Sequence, residues 1–263
     1  MFKISIISFS LTKGGAGIAA ARYKKILSEN IKCDHVGSIN QDHAGLVQFF
    51  KRLISFGLMK LQFTRNPIKH SLNIFSFKPV LQAFKTSKDT LYHLHWINND
   101  TLSIFDFDKI PPGSVITLHD EWLYCGAEHH YDDLDESKDF LLYYPYLKKG
   151  VLGINWNSLI WRVKHKRLAQ RSDLIYTTPS SWMYERAKSS SILKNSDIRL
   201  LPNPIDTEIF KPSSENEVKN FRNSLNIDKD CFVIVFAASS KKNTKLKGMD
   251  LLFTALNILQ SKN

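Results

Sequence analysis

Three clusters along this chain carry side chains suited to handling phosphates, sugars or protons. The first is Gly14-Gly15-Ala16-Gly17. Glycines there let backbone N–H groups approach a phosphate, and a helix opening behind them adds positive potential. A full dinucleotide fingerprint would need glycine at position 20, where Ala20 stands, so the loop is a phosphate cradle or an ordinary tight turn. The second cluster has two parts. His119 closes V-I-T-L-H, where a neutral imidazole can donate to a sugar hydroxyl or a peptide carbonyl, and Asp120 is a second sugar contact or a helix cap. In His93-Leu94-His95-Trp96, strand alternation puts both histidines on one side; Trp96 suits stacking on a pyranose ring and Asn98 suits hydroxyls, unless the run is simply core. The third cluster is basic. Lys241, Lys242, Lys245 and Lys247-Gly248 would neutralise a diphosphate leaving group, or form a solvated charge run.

Cys125, Glu128, His129, His130, Asp132 and Asp133 crowd together, but the cysteine is single and no C-x2-C or H-x3-H spacing occurs. No metal is expected there.

Such groups need a scaffold with loops on one edge. Phe2 to Phe9 is a near-continuous apolar run, as in a parallel strand covered on both faces, and Ile18 to Leu27 has helical spacing. Strand, glycine loop and helix open a doubly wound α/β domain. Further strands are expected at Asp34 to Val36, Leu72 to Phe75, Thr90 to His95, Ser114 to Leu118 and Leu174 to Thr177, with helices notably at Leu46 to Leu61 and Asn157 to Ala169. Residues 120–156 read as a long insertion over the sheet edge, an acceptor-binding lid. The run from Ser196 to Pro212 reads as a strand ending at Pro202, then a rigid interdomain turn pinned by Ile205, Ile209 and Phe210. Beyond a disordered Ser213 to Asn216 stretch come a linker helix at Glu217 to Leu225, a buried-type strand at Cys231 to Ala238 and a helix at Gly248 to Leu259. The expected division is 1–204, one parallel sheet; 205–230, linker; and 231–263, the start of a second domain.

With Lys+Arg 36 against Asp+Glu 25, the net charge is +11, which favours an anionic partner. Three widely spaced cysteines argue for a reducing, cytoplasmic setting, and no apolar run is long enough to span a membrane. The basic, apolar stretches Lys51 to His70 and Trp161 to Arg171 would rest on an anionic inner leaflet or be core-facing helices with a basic outer face. Nucleic-acid binding rests on charge alone and is not expected.

The glycine loop, T-L-H-D at 117–120, H-W-I-N at 95–98, the 196–212 run and K-L-K-G-M-D-L-L-F-T-A-L at 245–256 together resemble retaining glycosyltransferases of the two-domain GT-B type, family 4. The resemblance implies a Rossmann-like N-terminal, acceptor-side domain. It makes Gly14 and Gly15 the pair between donor diphosphate and acceptor, and His119 the catalytic histidine that contacts the donor sugar. Lys247 matches the second of the family's two basic residues. The first is usually arginine; here Lys241 or Lys242 must substitute, without the bidentate fork. His95, Trp96, Asn98 and Asp120 fall on the acceptor and sugar side. The implied reaction is metal-independent and needs no cofactor, the nucleotide sugar being a substrate. The acceptor would be a glycan or lipid-linked glycan of a surface polysaccharide such as capsule, O-antigen or exopolysaccharide. The family's Glu-x7-Glu region has no counterpart, so the chain reads as truncated and inactive by itself. The alternatives are a non-catalytic remnant or acceptor-binding module, and a nicotinamide-dependent oxidoreductase. The last is disfavoured because Asp34 lies at the start of the second strand, not its end.

Overall fold

The computed structural model describes residues 2–64, 68–86, 89–131, 137–148, 150–238 and 247–261. The chain divides into two compact units, Met1–Ile205 and Asp206–Asn263.

The first unit is a Rossmann-like parallel α/β domain. Its six-stranded sheet comprises β1 (Lys3–Ser8), β2 (His35–Ile39), β4 (Thr90–His95), β5 (Val115–Thr117), β7 (Ile175–Thr178) and β8 (Asp197–Leu200), in spatial order β2-β1-β4-β5-β7-β8, every pair parallel. Strands buried on both faces are mostly apolar, and Ile4, Ile6, Ile7, Leu94, Ile116 and Tyr176 fill that role. The chain runs outward from β1 to β2, then returns to lay β4 on the other side of β1. That reversal opens a crevice at the carboxyl edge between β1 and β4, where ligands bind in folds of this kind.

Helix α1 (Gly14–Asn30) follows β1, and Ala19, Ala20 and Tyr23 bury its inner face. Gly17 is required by packing: a Cβ there would lie 2.7 Å from the Ser10 carbonyl oxygen. Helix α2 (Leu46–Met59) is followed by a short antiparallel ribbon, in which β3 (Gln62–Thr64) pairs with β6 (Val151–Gly153) and Phe63 faces Leu152. Helices α3 (Lys78–Thr86), α4 (Trp156–Leu168) and α5 (Ser181–Ser189) complete the unit.

Five expectations are corrected. Leu72 to Phe75 is not a strand. Asn73 has a left-handed φ of 50°, its amide donates to the carbonyls of Ile97 and Leu102, and the Phe75 N–H goes to Asp100. The segment is therefore strapped to the loop after β4 and not to a strand. The described residues of 120–156 are no cover over the sheet: Trp122, Tyr124, Cys125, Tyr131, Phe140 and Tyr144 are buried in the main core. Glu121 holds this segment in place, accepting from Arg186, the Tyr124 hydroxyl and the Tyr131 N–H. The turn after Pro202 is tied down by polar bonds, since Ile205 is exposed; Tyr23 donates to the Pro202 carbonyl at 3.3 Å and Arg22 to that of Pro204 at 3.2 Å.

The second unit carries the fourth and fifth corrections. Cys231 to Ala238 forms no strand, and Phe232 is 91% exposed. A strand exists through hydrogen bonds to a neighbour, and among the described residues none pairs with it. The stretch expected to be disordered instead starts helix α6 (Glu215–Ser224), where Ser214 and Glu217 form a reciprocal capping box. Gly248, with φ at 78°, precedes helix α7 (Met249–Gln260). No helix among the described residues is long and apolar enough to cross a membrane.

Candidate functional site

The register of the sheet brings the first-unit candidates to one edge. Ser8 pairs with His95 and His95 with Thr117, so the glycine loop after β1, Trp96 after β4 and His119 after β5 all leave the same carboxyl edge, flanking the β1/β4 crevice.

The glycine loop is shaped from within. Ser10 Oγ donates to Asp42 at 2.5 Å and accepts from the N–H groups of Thr12 and Lys13, while Asp42 also takes the Leu11 N–H. Burial alone would raise the Asp42 carboxyl, but these hydrogen bonds and Lys13 hold it below the usual range, so it braces the loop as an anion. Gly14 and Gly15 are exposed, and a Cβ built at either meets nothing within 4 Å. No side chain caps α1 and no acidic residue sits in its first turn. The first N–H groups of the helix are therefore open to an anion.

Beside the loop, three histidines stack across two strands. His93 and His95 share a face, as alternation requires, with ring centroids 4.0 Å apart, and Tyr23 of α1 packs on both. His93 Nε2 meets Thr117 Oγ1 at 2.7 Å, which in turn meets Thr177 Oγ1 at 2.7 Å. His95 Nδ1 meets His119 Nε2 at 2.9 Å. Burial, reinforced by His119, pushes His93 down to about 4. Burial likewise pushes His119 down to about 4 against the opposing pull of Asp120, and drives His95 well below its ordinary value. All three are neutral near pH 7. In the His95–His119 bond one ring must then donate and the other accept, which fixes the two tautomers together. His119 Nδ1 is left to meet a ligand, as donor when His95 supplies the shared proton and as acceptor when it does not.

Asp120 is committed elsewhere. It accepts from Trp96 Nε1 at 2.7 Å, His129 Nδ1 at 2.6 Å and the Trp122 N–H at 3.0 Å. Burial would raise its pKa, yet His129 and these donors hold it low. His129 Nε2 continues to Ser71 Oγ at 2.8 Å. Trp96, at a left-handed φ of 40°, is half-buried; Lys69 lies 4.2 Å from its ring centroid and Phe9 and His129 pack against it. Asn98 is buried, and its side-chain oxygen has no partner among the described residues.

Sequence reasoning missed Tyr23, Lys69, His70 and Thr177. Tyr23 sits one helical turn beyond Ala19 and Ala20, on the inward stripe, which was the available signal. Lys69 and His70 line a cavity of about 340 Å³ beneath α2, with Arg52, Asn73, Asp100 and Trp156. His70 Nδ1 donates to the Ile68 carbonyl at 2.7 Å, and its buried Nε2 has no partner among the described residues. Nothing in the sequence pattern announces a cavity assembled from α2, β3, the 68–73 segment, the loop after β4 and the start of α4.

Lys241, Lys242, Lys245, Asp132 and Asp133 lie outside the described residues. Lys247 is exposed, in the turn that leads into α7 of the second unit. No protein-family model matches the chain, and no curated protein matches it.

Proposed function

We propose that this chain is a retaining GT-B glycosyltransferase, working metal-independently at the inner face of a membrane. It would move a sugar from a nucleotide-sugar donor to a glycan or lipid-linked acceptor in surface polysaccharide assembly. The observation that carries the reading is the meeting, at the β1/β4 crevice, of an open glycine turn and the neutral histidine pair His95–His119. In this reading Gly14 and Gly15 leave room for the donor diphosphate beside the open N–H groups of α1. His119 Nδ1 makes a hydrogen bond to a sugar hydroxyl without bringing a positive charge to the oxocarbenium-like centre. By resemblance to the family, Lys242 and Lys247 would offset the charge developing on the leaving diphosphate. Asp120 positions Trp96 and His129 instead of touching sugar, because its oxygens are already engaged. Asn98 offers its unpartnered oxygen to an acceptor hydroxyl.

One observation favours the second reading, a non-catalytic acceptor-binding module: the second unit lacks a strand at Cys231 to Ala238. A single experiment separates the two. The chain is incubated with radiolabelled nucleotide sugars and a lipid extract, beside His119→Ala. Label transfer that His119→Ala abolishes supports the enzyme. Saturable glycan binding without transfer supports the module. A chain that binds neither glycan nor nucleoside diphosphate overturns both.

A further inference from the structure

Helix α2 is built inside out. A surface helix ordinarily turns its apolar stripe to the core and its polar face to water. Over its first three turns the inward residues are polar: Gln48 donates to the Asp100 carbonyl at 2.7 Å, Lys51 to the Ser76 carbonyl at 3.1 Å, and Ser55 is buried, while Leu58 and Met59 at its end pack on the core. The outward residues are Phe49, Phe50, Leu53, Ile54 and Phe56, preceded by Leu46 and Val47, and every one is at least half exposed. The ribbon that follows α2 in the chain also exposes apolar side chains, Phe63 at 63% and Leu152 at 72%, opposite each other. Exposed apolar side chains in this number, fixed outward by polar bonds on the inner side of α2, are the mark of an interaction surface.

Charge says what covers it. No aspartate or glutamate occurs from His43 to Lys88 or from Phe140 to Ser172, the two segments that supply α2, β3 and β6. Cations pack on exposed aromatic rings of the same two segments: exposed Lys60 lies 4.9 Å from the Phe56 ring centroid, and Arg162 lies 3.8 Å from that of Tyr146. A second copy meeting this face about a two-fold axis would oppose lysine to lysine, with no carboxylate in either segment to answer. An anionic bilayer supplies both complements, acyl chains for the aromatic rings and phosphates for the lysines. We infer that α2 and the β3–β6 ribbon form an interfacial docking surface for anionic lipid, with α2 lying in the plane of the bilayer. This rests on none of the sugar chemistry, and its test needs no sugar.

The full chain is sedimented with phosphatidylcholine vesicles that contain or lack phosphatidylglycerol. Binding should require the anionic lipid, weaken as salt is raised, and fall about tenfold or more in Phe50→Asp/Leu53→Asp. The substituted side chains point outward, so the melting temperature should hold. Should that variant fail to fold, Phe50→Trp decides instead: lipids brominated on their acyl chains should quench it beyond the wild-type level. No vesicle binding by the wild type, binding that the double variant retains, or no added quenching at position 50 would overturn the inference. So would a dimer in analytical ultracentrifugation that the double variant dissolves while vesicles go unbound, which would give the face to a second copy.

Discussion

His95 Nδ1 and His119 Nε2 lie 2.9 Å apart, the buried ring of β4 holding the half-buried ring that follows β5. On its far side, His95 Nε2 is buried without a partner among the described residues. The pair is a neutral unit whose single shared proton sets what His119 presents to a ligand.

This predicts an acid-sensitive fold. His93 and His119 titrate near 4 in the folded protein, below the ordinary 6.5 of an unfolded chain. Between those values the unfolded state binds more protons, so stability present above pH 6.5 is lost as pH falls toward 4. Urea midpoints measured across that window should fall steadily, and His93→Gln should flatten the fall. An unchanged slope in the variant would place the loss elsewhere.

A buried lysine predicts the opposite end of the scale. Lys164 is fully buried in the core, donating to the carbonyls of Trp122 and Gly126 with its ammonium 4.1 Å from the Trp122 ring centroid. Burial pushes it down to about 7 from 10.5. Above pH 7 the unfolded chain holds a proton that the folded one sheds, so stability should rise with pH. Cys125, pushed up by burial, works against this only above 9.0, where the unfolded thiol ionises. Denaturation at about pH 7 and 9 should show the rise in wild type and lose it in Lys164→Met.

The glycine loop separates packing from binding. Gly17→Ala drives a Cβ to 2.7 Å from the Ser10 carbonyl oxygen and should cost about 1–3 kcal/mol of stability. Gly15→Ala meets nothing and sits in a helix, so its stability should be unchanged or slightly raised. Titration with nucleoside diphosphates should nevertheless show weaker binding in Gly15→Ala, because a methyl group then stands where backbone N–H groups approach phosphate. Equal affinity would remove the diphosphate from this loop.

Asp120→Ala should be a folding variant before it is anything else. It strands the Trp96 indole N–H, His129 Nδ1 and the Trp122 N–H together. A loss of about 3 kcal/mol or more is expected by thermal or urea denaturation, since each bond to a carboxylate is worth about 1.5–3 kcal/mol. A variant as stable as wild type would mean that the carboxylate is free for ligand after all.

The parallel sheet was readable because doubly buried strands leave largely apolar runs, as Phe2 to Phe9 and Ser114 to Leu118 do. The edge carrying the site followed from it, since loops after such strands must emerge together. What pattern could not reach was set by long-range polar bonds. Leu72 to Phe75 has strand composition, but Asn73 bonds to the turn after β4 and twists the chain out of the ladder. Asp120 looked like a ligand contact because its three donors come from Trp96, Trp122 and His129, which only the fold assembles. Cys231 to Ala238 has a core-strand sequence, and its composition says nothing about whether a neighbour is there to pair with it.

The β3–β6 ribbon has a kinetic consequence. Three residue pairs, Gln62↔Gly153, Phe63↔Leu152 and Thr64↔Val151, join segments separated by β4, β5 and the loops between them. Closing so long a loop costs entropy that a three-pair ladder repays poorly, so the ribbon zips only after the sheet has brought its ends together. The same poverty of bonds makes it a cheap place to open in the native state. Amides of Phe63 and Leu152 should exchange with solvent well ahead of those in β1 and β4.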